Sequence, residues 1–191
     1  MSHISAINRI EEDHFVWMDH FTILNLELVC STGVNSVSLL DILDQTVSPM
    51  GARMLRRWLV LPLKEQKAIQ DRLNIVDYFT HHEDVSDELT MQIKQMGDLE
   101  RLISKVSTAR ICPREVVQLK RALNAIVPVL DYCSKSGNKS LEALAAQLNP
   151  CDLVREKIAK ELQDDAPVQI IKGNVIACLL YTSPSPRDVE E

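Results

Sequence analysis

Apolar residues recur at three- and four-residue steps along most of the chain, which is the spacing of amphipathic α-helices. The pattern predicts a short helix near 39–45 and further helices over 49–61, 64–81, 85–96, 98–106, 113–130, 141–148 and 152–162. Their boundaries coincide with capping or helix-breaking pairs: Ser48-Pro49, Gly97-Asp98, Cys112-Pro113 and Asn149-Pro150. Such helices must bury their stripes against one another. We therefore expect a mainly α fold with a multi-helix core.

The N-terminal region follows a different pattern. Residues 14–24 are rich in aromatic and β-branched side chains, with Phe15, Trp17, Phe21 and Ile23 at two-residue steps. This alternation is typical of a strand. The sequence therefore predicts a short strand segment ahead of the helices.

Two of the predicted helices carry the most distinct apolar faces. The face predicted for 49–61 consists of Met50, Met54, Leu55, Trp58, Leu59 and Leu61, and the one for 64–81 of Ile69, Leu73, Val76 and Phe79. Arg53, Arg56 and Arg57 fall mostly on the opposite side of the first helix. We interpret these arginines as packing and surface charge, with direct DNA contact as the alternative.

Composition narrows the class of protein. The formal net charge of −6 provides no electrostatic case for autonomous DNA binding, because such affinity comes from neutralising phosphates. Five cysteines are scattered without metal-ligand spacing, which favours reduced thiols. The start does not resemble a signal peptide and no run is apolar enough to span a bilayer. We expect a cytoplasmic protein with no membrane partner.

Three motifs resemble the MutS family of DNA mismatch-repair ATPases. Residues 39–63 are similar to its core signature, D-x-T-x-T-P-M-G followed by R-x-L-R-R-W-L and a proline. Ser48 replaces the family's threonine and keeps the capping hydroxyl. Residues 97–101 match G-D-L-E-R, and residues 110–115 match R-x-x-P-R-E/D. Upstream, residues 8–19 and 25–28 resemble the lead-in from the connector domain.

The resemblance implies a role without chemistry. In this family, lever helices link an ATPase domain to a clamp around DNA, which places the coupling element at about residues 50–96. The whole protein binds ATP, magnesium, mismatched double-stranded DNA, a second MutS subunit and MutL, and is expected near the nucleoid. This chain contains neither a phosphate-binding loop nor the mismatch-probing Phe-x-Glu motif. We expect a non-enzymatic fragment with no catalytic, cofactor-binding or metal site and no confident DNA-binding residue.

The resemblance also predicts the domain organisation. Residues 1–13 are interpreted as the end of the connector or a linker, and residues 14–177 as the N-terminal part of the core, or lever, domain. Residues 178–191 depart from the family and resemble a translated sequencing adapter. The alternative is a genuine Ser/Pro-rich tail, and both interpretations predict no stable core contacts.

Other candidate sites are weak. His81 and His82 precede two acidic residues, but adjacent side chains on a helix diverge by about 100 degrees and cannot easily share one ion. His14 and His20 lack a third ligand, and the acidic run 11–13 comes with no sign of a pocket. The basic residues between 101 and 121 are interpreted as a solvated or domain-facing surface, with phosphate contact as the alternative. These are Arg101, Lys105, Arg110, Arg114, Lys120 and Arg121.

Two other functions stay open. One is the core of a MutS paralogue that acts on branched DNA or ribosomes, although the connector-like lead-in argues against it. The other is a free-standing helical scaffold protein. If the chain is a fragment, its helices should expose apolar faces that later sequence would cover, and it should be poorly soluble or molten alone.

Overall fold

The computed structural model describes residues 14–33, 36–167 and 175–177, and its regular structure is helical. The described helices are α1 (His20–Asn25), α2 (Leu39–Leu43), α3 (Pro49–Val60), α4 (Gln66–His81), α5 (Glu83–Met96), α6 (Leu99–Ser107), α7 (Pro113–Ser134), α8 (Lys139–Ala145) and α9 (Asp152–Glu161). Strand pairing in these ranges amounts to two isolated antiparallel bridges. The mainly α prediction is confirmed. The predicted linker at 1–13 and tail at 178–191 lie outside the described residues.

The chain divides into two compact units. Unit 1 comprises Met1–Thr46 and Gly51–Thr80, and unit 2 comprises Val47–Met50 and His81–Glu191.

Backbone hydrogen bonds link separate segments of unit 1. The Val16 amide donates to the Pro62 carbonyl at 2.8 Å, and the Lys64 amide donates to the His14 carbonyl at 3.0 Å. Further along, the amides of Leu39 and Leu40 at the start of α2 donate to carbonyls of residues 27 and 28 at 2.9 Å each. The first helical amides have no partner within their own helix, so these bonds satisfy them and dock α2.

The predicted N-terminal strand is wrong for most of its length. Phe15 forms a single antiparallel bridge with Leu63, and residues 20–25 then form α1. Asp19 caps this helix, because its carboxylate accepts the Thr22 amide at 2.7 Å. This cap outweighs the β propensity of the segment. Trp17 and Phe21, two of the alternating residues, are 64% and 75% exposed.

The buried faces predicted for α3 and α4 are also not buried. Neither helix contains a fully buried residue. Met54 is 54% exposed, and on α4 Leu73 and Val76 are 54% and 58% exposed. Periodicity identifies which face of a helix suits packing, but burial requires a partner. The exposed faces agree with the expectation that these helices leave apolar surface uncovered.

Unit 2 has a true core built around α7. Helices α5, α6, α8 and α9 all pack against this helix. A buried cluster joins Met96 at the end of α5 to Leu123, Ala125 and Ile126 of α7. On α8, Leu141 and Ala145 are 3% exposed. As four helices surround it, α7 buries more than one stripe.

Helix α7 runs to Ser134 instead of residue 130, and α8 covers 139–145 instead of 141–148. The other boundaries in unit 2 lie within two residues of the prediction, and three of them have a clear local cause. Gly97 ends α5 with φ +62°, a conformation that glycine adopts without steric cost. Asp98 then caps α6, as predicted, by accepting the Arg101 amide at 3.2 Å. Pro113 is the first residue of α7, where its missing N–H costs nothing.

Candidate functional site

The 39–63 motif begins with two side-chain turns in unit 1. Ser38 and Asp41 form a reciprocal capping box around the start of α2, and Ser38 is fully buried. Directly after α2, Asp44 accepts the Thr46 amide at 3.0 Å and the Thr46 hydroxyl at 2.6 Å. These bonds lower the pKa of the Asp44 carboxyl, just as the Ser38 bonds lower the pKa of Asp41. The D-x-T part of the motif is therefore a self-bonded turn.

The S-P-M part of the motif belongs to unit 2. Ser48 is buried, and Pro49 is the first residue of α3. Met50 packs against the buried cluster of Met96, Leu123, Ala125 and Ile126. Of the face predicted for α3, Met50 is thus the residue that contacts this core.

The R-R-W part of the motif contains a contact that the sequence analysis missed. In unit 1, the Arg72 guanidinium of α4 lies over the Trp58 ring of α3, with its central carbon 3.7 Å from the ring centroid. This is cation–π geometry. Partial burial lowers the pKa of Arg72. The sequence predicts Trp58 as part of an apolar face. Sequence spacing does not reveal which cation lies over its ring.

The predicted arginine side of α3 is exposed. Arg53, Arg56 and Arg57 all lie at the surface. Exposure fits surface charge and is equally compatible with a phosphate contact, so the interpretation of these arginines stays a prediction.

The R-x-x-P-R-E motif forms the entry to α7. Glu115 accepts the Cys112 amide at 3.1 Å, and its carboxylate also pairs with Lys105 of α6. The Lys105 bond is the larger cause that lowers the pKa of Glu115, and the Cys112 amide adds to it. The motif thus caps the start of α7 and links α7 to α6 through the Glu115–Lys105 ion pair.

Several of the basic residues between 101 and 121 have acidic or carbonyl partners. Besides Lys105, Lys120 forms an ion pair with Asp164, and Arg121 Nη2 donates to the Asp164 carbonyl at 3.0 Å. Arg101, Arg110 and Arg114 are exposed. The charges are mixed and partly paired, which supports the interpretation of a structural surface.

The histidine candidates do not come together as a metal centre. His81, His82 and the acidic residues Glu83 and Asp84 are all exposed. The two acids lie in the first turn of α5, where the helix dipole favours negative charge. His14 Nδ1 lies 3.0 Å from Glu65 Oε1. In the part of the chain that is described, no three potential ligands converge on one point. Residues 11–13 lie outside it.

Unit 2 also contains a polar cleft of about 610 Å³. Its lining comprises Gln95 of α5, one face of α7 and the segment after α9: Arg114, Val117, Gln118, Arg121, Asp164, Asp165, Ala166 and Pro167. Charges of both signs share this cleft. No helix in the described ranges has the length and apolar character needed to cross a membrane.

Known proteins similar to this chain agree on one family. A family model described as MutS domain III matches residues 21–178. The DNA mismatch repair protein MutS of Christiangramia forsetii is 51% identical over 177 residues, which cover 93% of this chain and 20% of that protein. The MutS proteins of Flavobacterium psychrophilum and Parabacteroides distasonis are also 51% identical, over 95% and 93% of this chain.

These relatives extend well beyond the matched region. The chain spans about a fifth of the length of the curated relatives it matches. The matched region contains all three sequence motifs and every described helix except the first residue of α1. The chain belongs to the MutS domain III family.

Proposed function

We propose that this chain is the domain III portion of a DNA mismatch repair protein and acts as a conformational lever. In such a protein it would link an ATPase domain to a clamp around mismatched DNA. The observation that carries this proposal is the domain III match over residues 21–178, together with about half-identity to several MutS proteins.

The packing of unit 2 supports a mechanical role. One long helix, α7, contacts four others, and three of its buried residues form a cluster with Met96 of α5. Densely packed helices move as units and do not deform smoothly, so such a body can transmit a displacement applied at one edge. The motif residue Met50 lies against this core.

We further propose that the chain is not itself an enzyme. ATP and magnesium would bind to an ATPase domain elsewhere in the whole protein, and mismatched DNA, a second subunit and MutL would be partners of that protein. The cytoplasm near the nucleoid is the corresponding location. The paralogue and scaffold alternatives predict no mismatch-repair activity from the same residues.

A chimera tests the lever proposal. Residues 21–177 would replace the matching segment of the Christiangramia forsetii protein, and mutation frequency would be measured in a strain that lacks its own MutS. We expect the chimera to restore a low mutation frequency, because 51% identity preserves the packing faces. A folded chimera that leaves the frequency high would contradict the proposal.

A second experiment measures the response of ATP turnover to mismatched DNA separately from basal ATP turnover. In the chimera, Trp58→Ala removes the ring on which Arg72 lies, and Met91→Ala removes an exposed side chain of α5 as the matched control. We expect Trp58→Ala to keep basal ATP turnover and to weaken its response to mismatched DNA, and Met91→Ala to alter neither. Equal loss of basal turnover and response would argue against a lever.

A further inference from the structure

Residues 161–163, at the end of α9 and directly after it, pair with residues 175–177 in a short ladder. The Gln163 amide donates to the Val175 carbonyl at 3.1 Å, and the Ala177 amide donates to the Glu161 carbonyl at 3.0 Å. Between these bonds, Leu162 and Ile176 form an antiparallel bridge. Two strands of this length are marginal in water, so contacts with the rest of unit 2 must hold them.

Two of those contacts lie on one turn of α7. Asp164 lies directly after the first ladder strand. Its carboxylate pairs with Lys120, and its backbone carbonyl accepts a hydrogen bond from Arg121. The Lys120 side chain is only 11% exposed, whereas that of Asp164 is 73% exposed. A lysine so withdrawn from water needs a counter-charge, and within the described residues Asp164 provides it.

Apolar contacts hold the ladder less firmly. Ala166 is 4% exposed, but its side chain is a single methyl group. Leu162 is half-buried and Ile176 is 43% exposed. The polar cleft lined by Arg121 and Asp164 admits solvent ions to the same place. The attachment to α7 therefore includes an electrostatic part that lies within reach of solvent.

We propose that Lys120, Arg121 and Asp164 form an ionic latch that holds the ladder of residues 161–163 and 175–177 against α7 and opens independently of the core. A partly exposed ion pair is weakened by salt, whereas buried apolar packing is not. Raising the salt concentration should therefore weaken the latch, while helices α5 to α9 stay folded. This inference does not depend on the proposed lever role.

Hydrogen exchange of the full 191-residue chain, read by mass spectrometry, tests the latch. Asp164→Asn removes the exposed charge and leaves the core untouched, so the variant should fold. We expect peptides that contain Gln163 and Ala177 to exchange about fivefold faster, and peptides from the middle of α7 to be unchanged. In the unsubstituted chain, raising the salt concentration should have the same effect, and in Asp164→Asn it should have little.

The neighbouring residue provides the matched control. Asp165→Asn makes the same charge change one position along, at an exposed carboxylate without a hydrogen bond or ion pair among the described residues. It should leave exchange at Gln163 and Ala177 unchanged. Lys120→Met should reproduce Asp164→Asn. Unprotected ladder amides in the unsubstituted chain, or equal effects of the two aspartate variants, would overturn the latch.

Discussion

At the scale of single residues, the C-terminal end of α6 in unit 2 is strained. Helix α6 stops at Ser107, and Ala109 adopts φ +54°. The Ala109 amide donates to the Val106 carbonyl at 3.0 Å, and the Arg110 amide donates to the Lys105 carbonyl at 2.9 Å. This is the Schellman arrangement, in which glycine is the usual residue at the left-handed position. Alanine there carries a steric cost that glycine would not.

Ala109→Gly should therefore stabilise the chain. We expect the free energy of unfolding to rise by about 1 kcal/mol, since relief of the left-handed conformation exceeds the entropy that glycine adds to the unfolded chain. Urea unfolding followed by helical circular dichroism measures this. The control is Ala143→Gly, at an exposed position inside α8, which should lower stability by about 1 kcal/mol. Loss of stability in both variants would contradict the argument.

At the scale of elements, α7 differs from every other helix because partners surround it. It buries Val117, Ala122, Leu123, Ala125, Ile126 and Cys133. Of these, Leu123 and Ile126 follow the three-residue apolar spacing that predicts the helix over 113–130. The two alanines were missed, because a methyl group gives almost no periodic signal although it permits close approach of a neighbour. Tyr132 adds a polar link, since its hydrogen bond to Glu88 of α5 raises the pKa of the phenol.

Two leucines test this difference between helices. Leu123 of α7 is 7% exposed and lies in the core cluster, whereas Leu144 of α8 is 47% exposed. Leu123→Ala should lower the free energy of unfolding by about 2–5 kcal/mol, through lost burial and a residual cavity. Leu144→Ala should cost less than about 1 kcal/mol. Similar losses in urea unfolding would show that α7 is not the centre of the core.

At the scale of the whole molecule, the two units differ in what they bury. Unit 2 contains the buried apolar cluster, whereas in unit 1 the buried residue among those described is Ser38. Apolar side chains of unit 1 remain at the surface, including the α4 face of Ile69, Leu73 and Val76. An uncovered face of this kind favours association and binding of apolar dyes.

We expect the isolated chain to bind the dye anilinonaphthalene sulfonate through unit 1, which should lack a sharp cooperative melt. Unit 2, which contains the buried cluster, should still unfold cooperatively. Val76→Lys should lower the dye emission, because it places a charge in the exposed α4 face. Met91→Lys, at a similarly exposed but solitary position on α5, should lower it less. A monomeric chain with a sharp thermal transition and no dye binding would contradict this expectation.

The functional motifs were visible in the sequence, but most of their contacts were not. Turn and cap residues such as Asp98 and Pro113 act on neighbours within a few positions, so spacing alone identified them. The Trp58–Arg72 stack and the Lys120–Asp164 pair join residues 14 and 44 positions apart. Nothing in the local sequence pattern distinguishes Arg72 and Lys120 from the other arginines and lysines of the chain.

The amino-acid sequence by itself determined the helical class, the order of the main helices, most of their boundaries and the family, because caps, prolines and apolar periodicity act within a few residues. Only the tertiary structure decided which apolar faces are buried, that residues 20–25 form a helix, and where the ion pairs lie. Burial and ion pairing require a partner, and its position depends on how the whole chain folds.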